Sequence, residues 1–269
     1  CLPKGTRILT KARGYVPIER VMRLADRRVH SIDTTSCTSR YEAVDDVWSV
    51  GVKPVYRLTT STGYTIEATD NHPFLAGDTW RELRDIRPGD LVGIASRTMT
   101  DGGSKVTDAE VDLAALLISE GYTPDVRRGP QRAGHFCNTD PELLATFDQA
   151  FARHFGYPHR SRCQVGNVTQ LRVNRAELLA LAPNLGPLGR AGDKDIPFRI
   201  VNAPLHRIQR FLGLYFCADG WADRSGAHFG SKSRRVCLGL KRMLLRAGIV
   251  SYLHSRDVPG HGTHWTLSI

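Results

Sequence analysis

The chain has 269 residues, 37 Lys+Arg against 27 Asp+Glu for a formal net charge of +10, and 41% hydrophobic residues. That length is ample for one or two packed domains, and a charged fraction of 24% beside this apolar content excludes a disordered chain. The longest apolar runs, Leu113–Ile118 and Phe211–Ala218, are too short to span a bilayer and no signal segment opens the chain, so a cytoplasmic protein with no membrane partner is expected.

Residues 1–98 read as β. Val44–Val50, Val55–Thr60 and Tyr64–Thr69 are rich in β-branched and aromatic residues and are punctuated by Gly51, Pro54 and the Ser61-Thr62-Gly63 turn. Pro88-Gly89-Asp90 then turns into one more strand at Leu91-Val92. Ile18–Ala25 is the one short stretch of helical character. A linker is expected at 99–104, around Asp101-Gly102-Gly103.

The pattern then changes. Val111–Ser119 is an apolar helix, with Asp108 expected as its N-cap and Gly121 as its stop. Further helices are expected over Pro141–Phe155, Arg175–Ala182, Pro204–Ala218 and Val236–Ala247. Self-comparison shows a repeat. Gly134-His135-Phe136-Cys137-Asn138 is echoed by Ala227-His228-Phe229-Gly230-Ser231, and each follows a helix ending in acid-Gly, Glu120-Gly121 or Asp219-Gly220. Each copy continues through an amphipathic helix to a polar strand, Thr169–Val173 or His264–Ile269. A last helix, Arg175–Ala182, follows only in the first copy, so the second reads as one helix short.

Charge divides unevenly between the two segments. Residues 1–98 hold 15 Lys+Arg against 12 Asp+Glu, whereas residues 99–269 hold 22 against 15. Basic clusters such as Arg234-Arg235 and Lys241-Arg242 neutralise phosphates, so nucleic acid is the partner expected of the second segment. The six cysteines form no Cys-x-x-Cys pair and read as reduced, mostly buried small hydrophobes. His135, Cys137, His159 and Cys163 match no zinc spacing.

A carboxylate closing each repeat helix is a specific arrangement. An acid before glycine can simply end a helix, but the macrodipole is negative there and disfavours it, and here it recurs at equivalent positions. Should the two helices pack side by side, Glu120 and Asp219 converge into a site for a hard divalent cation, Mg²⁺, which can activate water and stabilise the leaving oxygen of a phosphodiester. Leu113-Ala114-Ala115-Leu116-Leu117-Ile118-Ser119-Glu120-Gly121 and Leu212-Gly213-Leu214-Tyr215-Phe216-Cys217-Ala218-Asp219-Gly220 resemble the paired LAGLIDADG motifs of homing endonucleases. The resemblance implies a pseudo-twofold duplicated αββαββα domain over 105–269, sheets that hold double-stranded DNA, and Glu120 and Asp219 as metal ligands. It makes Lys232 the candidate basic residue for the attacking water, with Asn138 in the corresponding place of the first copy. Leu214 and Tyr215 stand where smaller residues are expected at the helix crossing.

The first segment carries a second resemblance. Cys1-Leu2-Pro3-Lys4-Gly5-Thr6-Arg7-Ile8 resembles the first splicing block of inteins, and Gly63 through Pro73, with its Thr69-Asp70-Asn71-His72 core, resembles the second. The resemblance covers residues 1–98 and implies the N-terminal portion of a mostly-β Hedgehog/intein-type splicing domain. The chemistry it implies suits the residue types. The Cys1 sulfur attacks the preceding carbonyl and turns an amide into a thioester. His72 protonates the departing amide nitrogen. Thr69 is expected to donate a hydrogen bond at the scissile peptide, and Asp70 to assist Cys1 or His72.

The chain opens on Cys1 rather than Met and closes on Thr266-Leu267-Ser268-Ile269, without the terminal histidine-asparagine pair with which inteins finish. It therefore reads as a multidomain piece: a monomeric intein portion with an inserted nuclease, acting on flanking host segments and on duplex DNA, and needing a C-terminal splicing fragment in cis or in trans. Two other readings stand beside it, a LAGLIDADG protein that binds DNA without cutting it and a Hedgehog-type autoprocessing domain.

Overall fold

The computed structural model describes residues 1–95, 103–127 and 133–269. Two compact units divide it, Cys1–Gly103 and Ser104–Ile269. Residues 99–102 of the expected linker lie outside the described residues.

Short antiparallel hairpins build the first unit. β1 (Arg7–Thr10) pairs with β2 (Gly14–Pro17) and, at Thr10, with β3 (Arg28–Asp33), which pairs with β4 (Thr38–Ala43). The sheet order is β2-β1-β3-β4. Two separate hairpins follow, β5 (Tyr56–Thr59) with β6 (Thr65–Ala68) and β7 (Pro73–Ala76) with β8 (Thr79–Glu82). None of β1 to β4 is legible in the sequence: each is only four to six residues long, and none shows an alternation of buried and exposed positions.

Three expectations for this unit fail. Val44–Val50 forms no strand; Trp48 is 72% exposed, and Val50 and Val52 beyond it are exposed too. β-branched residues favour an extended backbone, but a strand also needs a partner for its N–H and C=O groups and a face to bury. Leu91-Val92 supplies only a single bridge, Val92 to Ala76. The helix expected over Ile18–Ala25 is a 3-10 turn, Ile18–Arg23, which buries Val21 alone and so has no apolar stripe to hold a longer helix.

The second unit runs α1 (Asp108–Ser119), β9 (Gly121–Tyr122), β10 (Ala133–Asn138), α2 (Pro141–Phe155), β11 (Arg162–Val165), β12 (Val168–Asn174) and α3 (Arg175–Leu185). A connector containing α4 (Phe198–Val201) leads to α5 (Leu205–Asp219), β13 (Gly220–Asp223), β14 (Gly226–Ser231), α6 (Arg234–Arg246), β15 (Tyr252–Val258) and β16 (Gly262–Ser268). The sheets are ordered β11-β12-β10-β9 and β13-β14-β16-β15, so the first, second, third and fourth strands of each copy occupy equivalent places. Register agrees too: Phe136 faces Gly121 as Phe229 faces Gly220. By that register Asn138 corresponds to Ser231, not to Lys232.

One face of each sheet lies under helices. Phe136 stacks on Phe147 of α2 with ring centroids 5.3 Å apart, beside buried Leu171 and Val173. Phe229 meets Tyr215 and Phe216 of α5, beside buried Leu267. α1 is buried all along Val111–Ile118 because α5, α2 and α3 pack around it. Asp112, also buried there, is met by both Nε and Nη2 of Arg210 from α5, the latter at 2.7 Å, which ties the two repeat helices in one register. Tyr215 is buried with its ring beside Phe211 and Phe229, and its hydroxyl donates to the Gly230 carbonyl of β14 at 3.0 Å.

Two further expectations are corrected. The N-cap of α1 is Thr107, whose hydroxyl accepts from Glu110 N while Glu110 Oε2 accepts from Thr107 N, a capping box; Asp108 is the first helical residue and pairs with Arg207 at 2.6 Å. The cysteines are free but not mostly buried, since Cys1, Cys37, Cys163 and Cys217 are exposed and Cys237 alone is buried. No helix among the described residues is long and apolar enough to cross a membrane. Thr107→Ala is expected to lower unfolding stability by about 1 kcal/mol through the lost cap, measured by denaturant titration.

Candidate functional site

In the first unit, Cys1 and Thr69 are joined through both backbone and side chain. Thr69 N donates to the Cys1 carbonyl at 2.9 Å, and the Cys1 amino group donates to Thr69 Oγ1 at 2.5 Å. The threonine hydroxyl is turned by a third bond, donated to Asn71 Oδ1 at 2.8 Å. Thr69 therefore accepts from the Cys1 nitrogen rather than donating to it, and it is buried, whereas the Cys1 residue is exposed.

His72 is carried into the same corner by the backbone. Its N–H bonds the Thr69 carbonyl at 3.1 Å and its carbonyl accepts from Leu83 N at 3.0 Å, at the mouth of the β7–β8 hairpin. Burial and the Cys1 ammonium both hold its imidazole below the usual histidine range, and its ring packs edge-on against Phe74. Asp70 is exposed; its carbonyl accepts from Arg84 N, and no described bond joins its carboxylate to Cys1 or His72. Asn71 is the member of this group that sequence reasoning left without a role.

In the second unit, Glu120 caps the end of α1 and Asp219 ends α5, the helix packed beside it. Burial raises the Glu120 carboxyl, partly offset by Asn138 and Lys194. Asn138 Nδ2 donates to Glu120 Oε2, while Asn138 Oδ1 accepts from Asp140 N at 2.7 Å, so the amide is fixed from both ends. Asp219 is pushed up to about 6 by burial and by the charge of Glu120, against the pull of Lys194. Burial lifts both carboxyls, and Glu120 lifts Asp219 further, so a divalent cation held by the two oxygens would favour their ionised forms. No third His, Cys, Asp or Glu joins them among the described residues, so waters and ligand oxygens would complete the shell.

A second lysine, Lys194, bears on this pair by its charge. Lys232 is exposed just beyond β14. Lys194 is buried in the connector, and its ammonium donates to the carbonyls of Leu117 at 3.0 Å, Ile118 at 2.9 Å and Gly121 at 2.6 Å, with Ser119 at 3.5 Å. Those of Leu117, Ile118 and Ser119 lie at the negative end of α1, where a cation is the favoured partner, and Gly121 follows in β9. Burial lowers its pKa to about 8, against the charges of Asp219 and Glu120. Its own carbonyl accepts from Ser233 Oγ at 2.6 Å, at the N-cap of α6. Lys194 lies between the copies and so has no echo in the repeat. The sequence signal is a single lysine between two aspartates, which reads as surface.

The intein splicing domain family matches residues 8–241. The chain belongs to that family. Its relatives include the replicative DNA helicase DnaB of Rhodothermus marinus, 26% identical over 91% of this chain, and that of a Nostoc species, 26% identical over 96%. The chain spans 28% of the former's length and 31% of the latter's. Among solved structures it is similar to I-DmoI in complex with DNA and Mn, with 16% identity and a TM-score of 0.46 over 60% of this chain and 89% of that one. It is also similar to the N-terminal LAGLIDADG domain of DUF199/WhiA, with 8% identity and a TM-score of 0.39 over 61% and 77%.

Two titrations test the electrostatics of this intein. Adding a residue before Cys1 replaces its ammonium by a neutral amide, so the His72 pKa is expected to rise yet stay below the ordinary value because burial persists; an unchanged NMR titration contradicts this. Lys194→Met is expected to raise the Asp219 pKa further and, by orphaning the α1 carbonyls, to lower stability by about 1–3 kcal/mol, read by carboxyl NMR and thermal unfolding.

Proposed function

We propose that this intein performs autocatalytic protein splicing through an N–S acyl shift at Cys1, and that its second unit is a LAGLIDADG homing endonuclease cutting both strands of a DNA site. On this reading residues 1–98 are the N-terminal portion of the splicing domain and 105–269 the inserted nuclease. The observation that carries the splicing half is the double attachment of Cys1 to Thr69 with His72 beside them. The Cys1 ammonium stands in for the amide nitrogen of a peptide bond to a host residue.

In that precursor the Cys1 thiolate attacks the preceding carbonyl carbon, a C–S bond forms, and the C–N bond breaks. The departing nitrogen takes a proton from His72. Thr69 Oγ1, turned by Asn71, accepts from the same nitrogen and holds the scissile amide in place. A neutral amide in place of the ammonium removes one of the two causes that depress His72, leaving it better able to hold that proton. The flanking host segments are the substrate. A C-terminal splicing segment, in cis or in trans, is the partner that would cover exposed Trp48, Val50, Val52 and Val55.

The observation supporting the nuclease is the pair Glu120 and Asp219 at the ends of two packed, repeat-related helices. These two carboxylates would hold divalent cations, with Mg²⁺ as the ion proposed. Such an ion supplies positive charge at a phosphodiester and acidifies water. Asn138 aims Glu120, and Lys194 holds the α1 terminus and lends its charge to both acids. Lys232, exposed beyond β14, remains a proposed contact for the attacking water. The net positive charge of residues 99–269 supports duplex DNA as the partner.

With a host peptide placed before Cys1, thiol-induced cleavage is expected, abolished in Cys1→Ala and reduced roughly a hundredfold or more in His72→Ala. Unchanged cleavage in Cys1→Ala sinks the splicing assignment. Mg²⁺-dependent cutting of an intein-less allele is expected to fall on the order of a hundredfold or more in Glu120→Gln and in Asp219→Asn. Intact cutting in both variants removes the metal assignment.

A further inference from the structure

The His-Phe echo has one half accounted for by packing: Phe136 and Phe229 point into the core. Alternation along a strand sends His135 and His228 to the opposite, open face of each sheet. There each histidine lies against the aromatic residue that follows the acid-Gly pair. His135 faces Tyr122 across β9 and β10 with ring centroids 5.1 Å apart, and His228 faces Trp221 across β13 and β14, also at 5.1 Å. Tyr122 and Trp221 remain 43% and 44% exposed. Both sit on edge strands, two residues beyond Glu120 and Asp219.

The second pair is the more firmly seated. His228 is bonded at both ring nitrogens, Nδ1 to Ser268 Oγ at 2.9 Å and Nε2 to Asp223 Oδ1 and Ser225 Oγ, each at 3.1 Å. The Trp221 indole also lies across Gly230, where an added Cβ would come within 3.2 Å of the ring. A large aromatic surface left half open and clamped from behind loses little entropy when a flat partner lies on it.

We propose that Tyr122 and Trp221, each backed by its histidine, are a repeat-related pair of ring plates that lie against deoxyribose or base faces of duplex DNA beside the scissile phosphates. They act through stacking and the shape of the DNA, not through hydrogen bonds to base edges. This rests on the endonuclease reading of the second unit. Aromatic plates suit nucleic acid because every base and sugar presents an apolar face, whereas the charged part of binding falls to the lysines and arginines.

The test uses the full chain and a mixed-sequence DNA duplex spanning the unit, with binding followed by anisotropy across a salt series. Trp221→Ala and Tyr122→Ala are each expected to weaken binding about fivefold or more with the slope of log K against log salt unchanged, and Trp221→Phe to retain most affinity. DNA is also expected to quench tryptophan fluorescence in the wild-type chain and to do so much less in Trp221→Phe, a reading that survives should the alanine variant misfold. Unchanged affinity in both alanine variants, a loss that alters the salt slope, or equal quenching in Trp221→Phe overturns the plates while leaving the endonuclease reading standing. Failure of the wild-type chain to bind duplex at all overturns both.

Discussion

The second unit is organised around an electrostatic conflict. Two helices pack side by side and end together, each closing on a carboxylate at the pole of its dipole that is already negative. Left alone, that end would repel itself. Lys194 answers the conflict from the connector, giving its ammonium to the last carbonyls of α1 while its charge reaches both acids. Ser233 then fixes Lys194 to the start of α6, so that one residue binds a helix of the first copy to a helix of the second. The site keeps some of its tension, since burial and Glu120 still hold Asp219 near 6. That residual tension is what a divalent cation would relieve.

The first unit depends on a weaker frame. Few side chains are buried there, among them Leu9, Val21, Ala68, Ala76, Thr10 and Thr69. Its order comes largely from hairpin ladders and from hydrogen bonds that converge on Thr69. A buried threonine that takes one proton and gives another has its hydroxyl orientation set by its neighbours, and that fixed lone pair is what meets the Cys1 nitrogen. Trp48, Val50, Val52 and Val55 stay outside this small core, exposed at the surface of the unit.

Legibility follows the strength of the local signal. α2 is readable at its observed limits because Asp140 caps it, Pro141 opens it and Gly156 closes it at positive φ. The duplication is readable because acid-Gly and His-Phe are short, distinctive and repeated. The strands β1 to β4 are not, because four to six residues without buried-exposed alternation carry no strand period. Val44–Val50 misleads, since side-chain type says that a segment can extend but not whether anything lies beside it. The cap at Thr107 is missed by one residue because Asp108 has the same chemistry. Cys1, Thr69, His72, Glu120 and Asp219 stand out by motif likeness; in the structure backbone and side-chain hydrogen bonds link the first three, and the last two end a pair of packed helices. Lys194, Asn71 and the open-face histidines do not, because their neighbours are brought to them only by the fold.

Joining two copies end to end creates one connector, and a connector residue has no twin. Lys194 is such a residue, so the internal twofold is broken at the acid pair itself: the lysine caps the first helix, whereas the second ends on the Gly220 N–H bonded to the Phe216 carbonyl. A homodimer of a single repeat would have to supply this cation twice or not at all. The fused chain gives its two carboxylates different surroundings, so each can change its neighbours without the other having to follow.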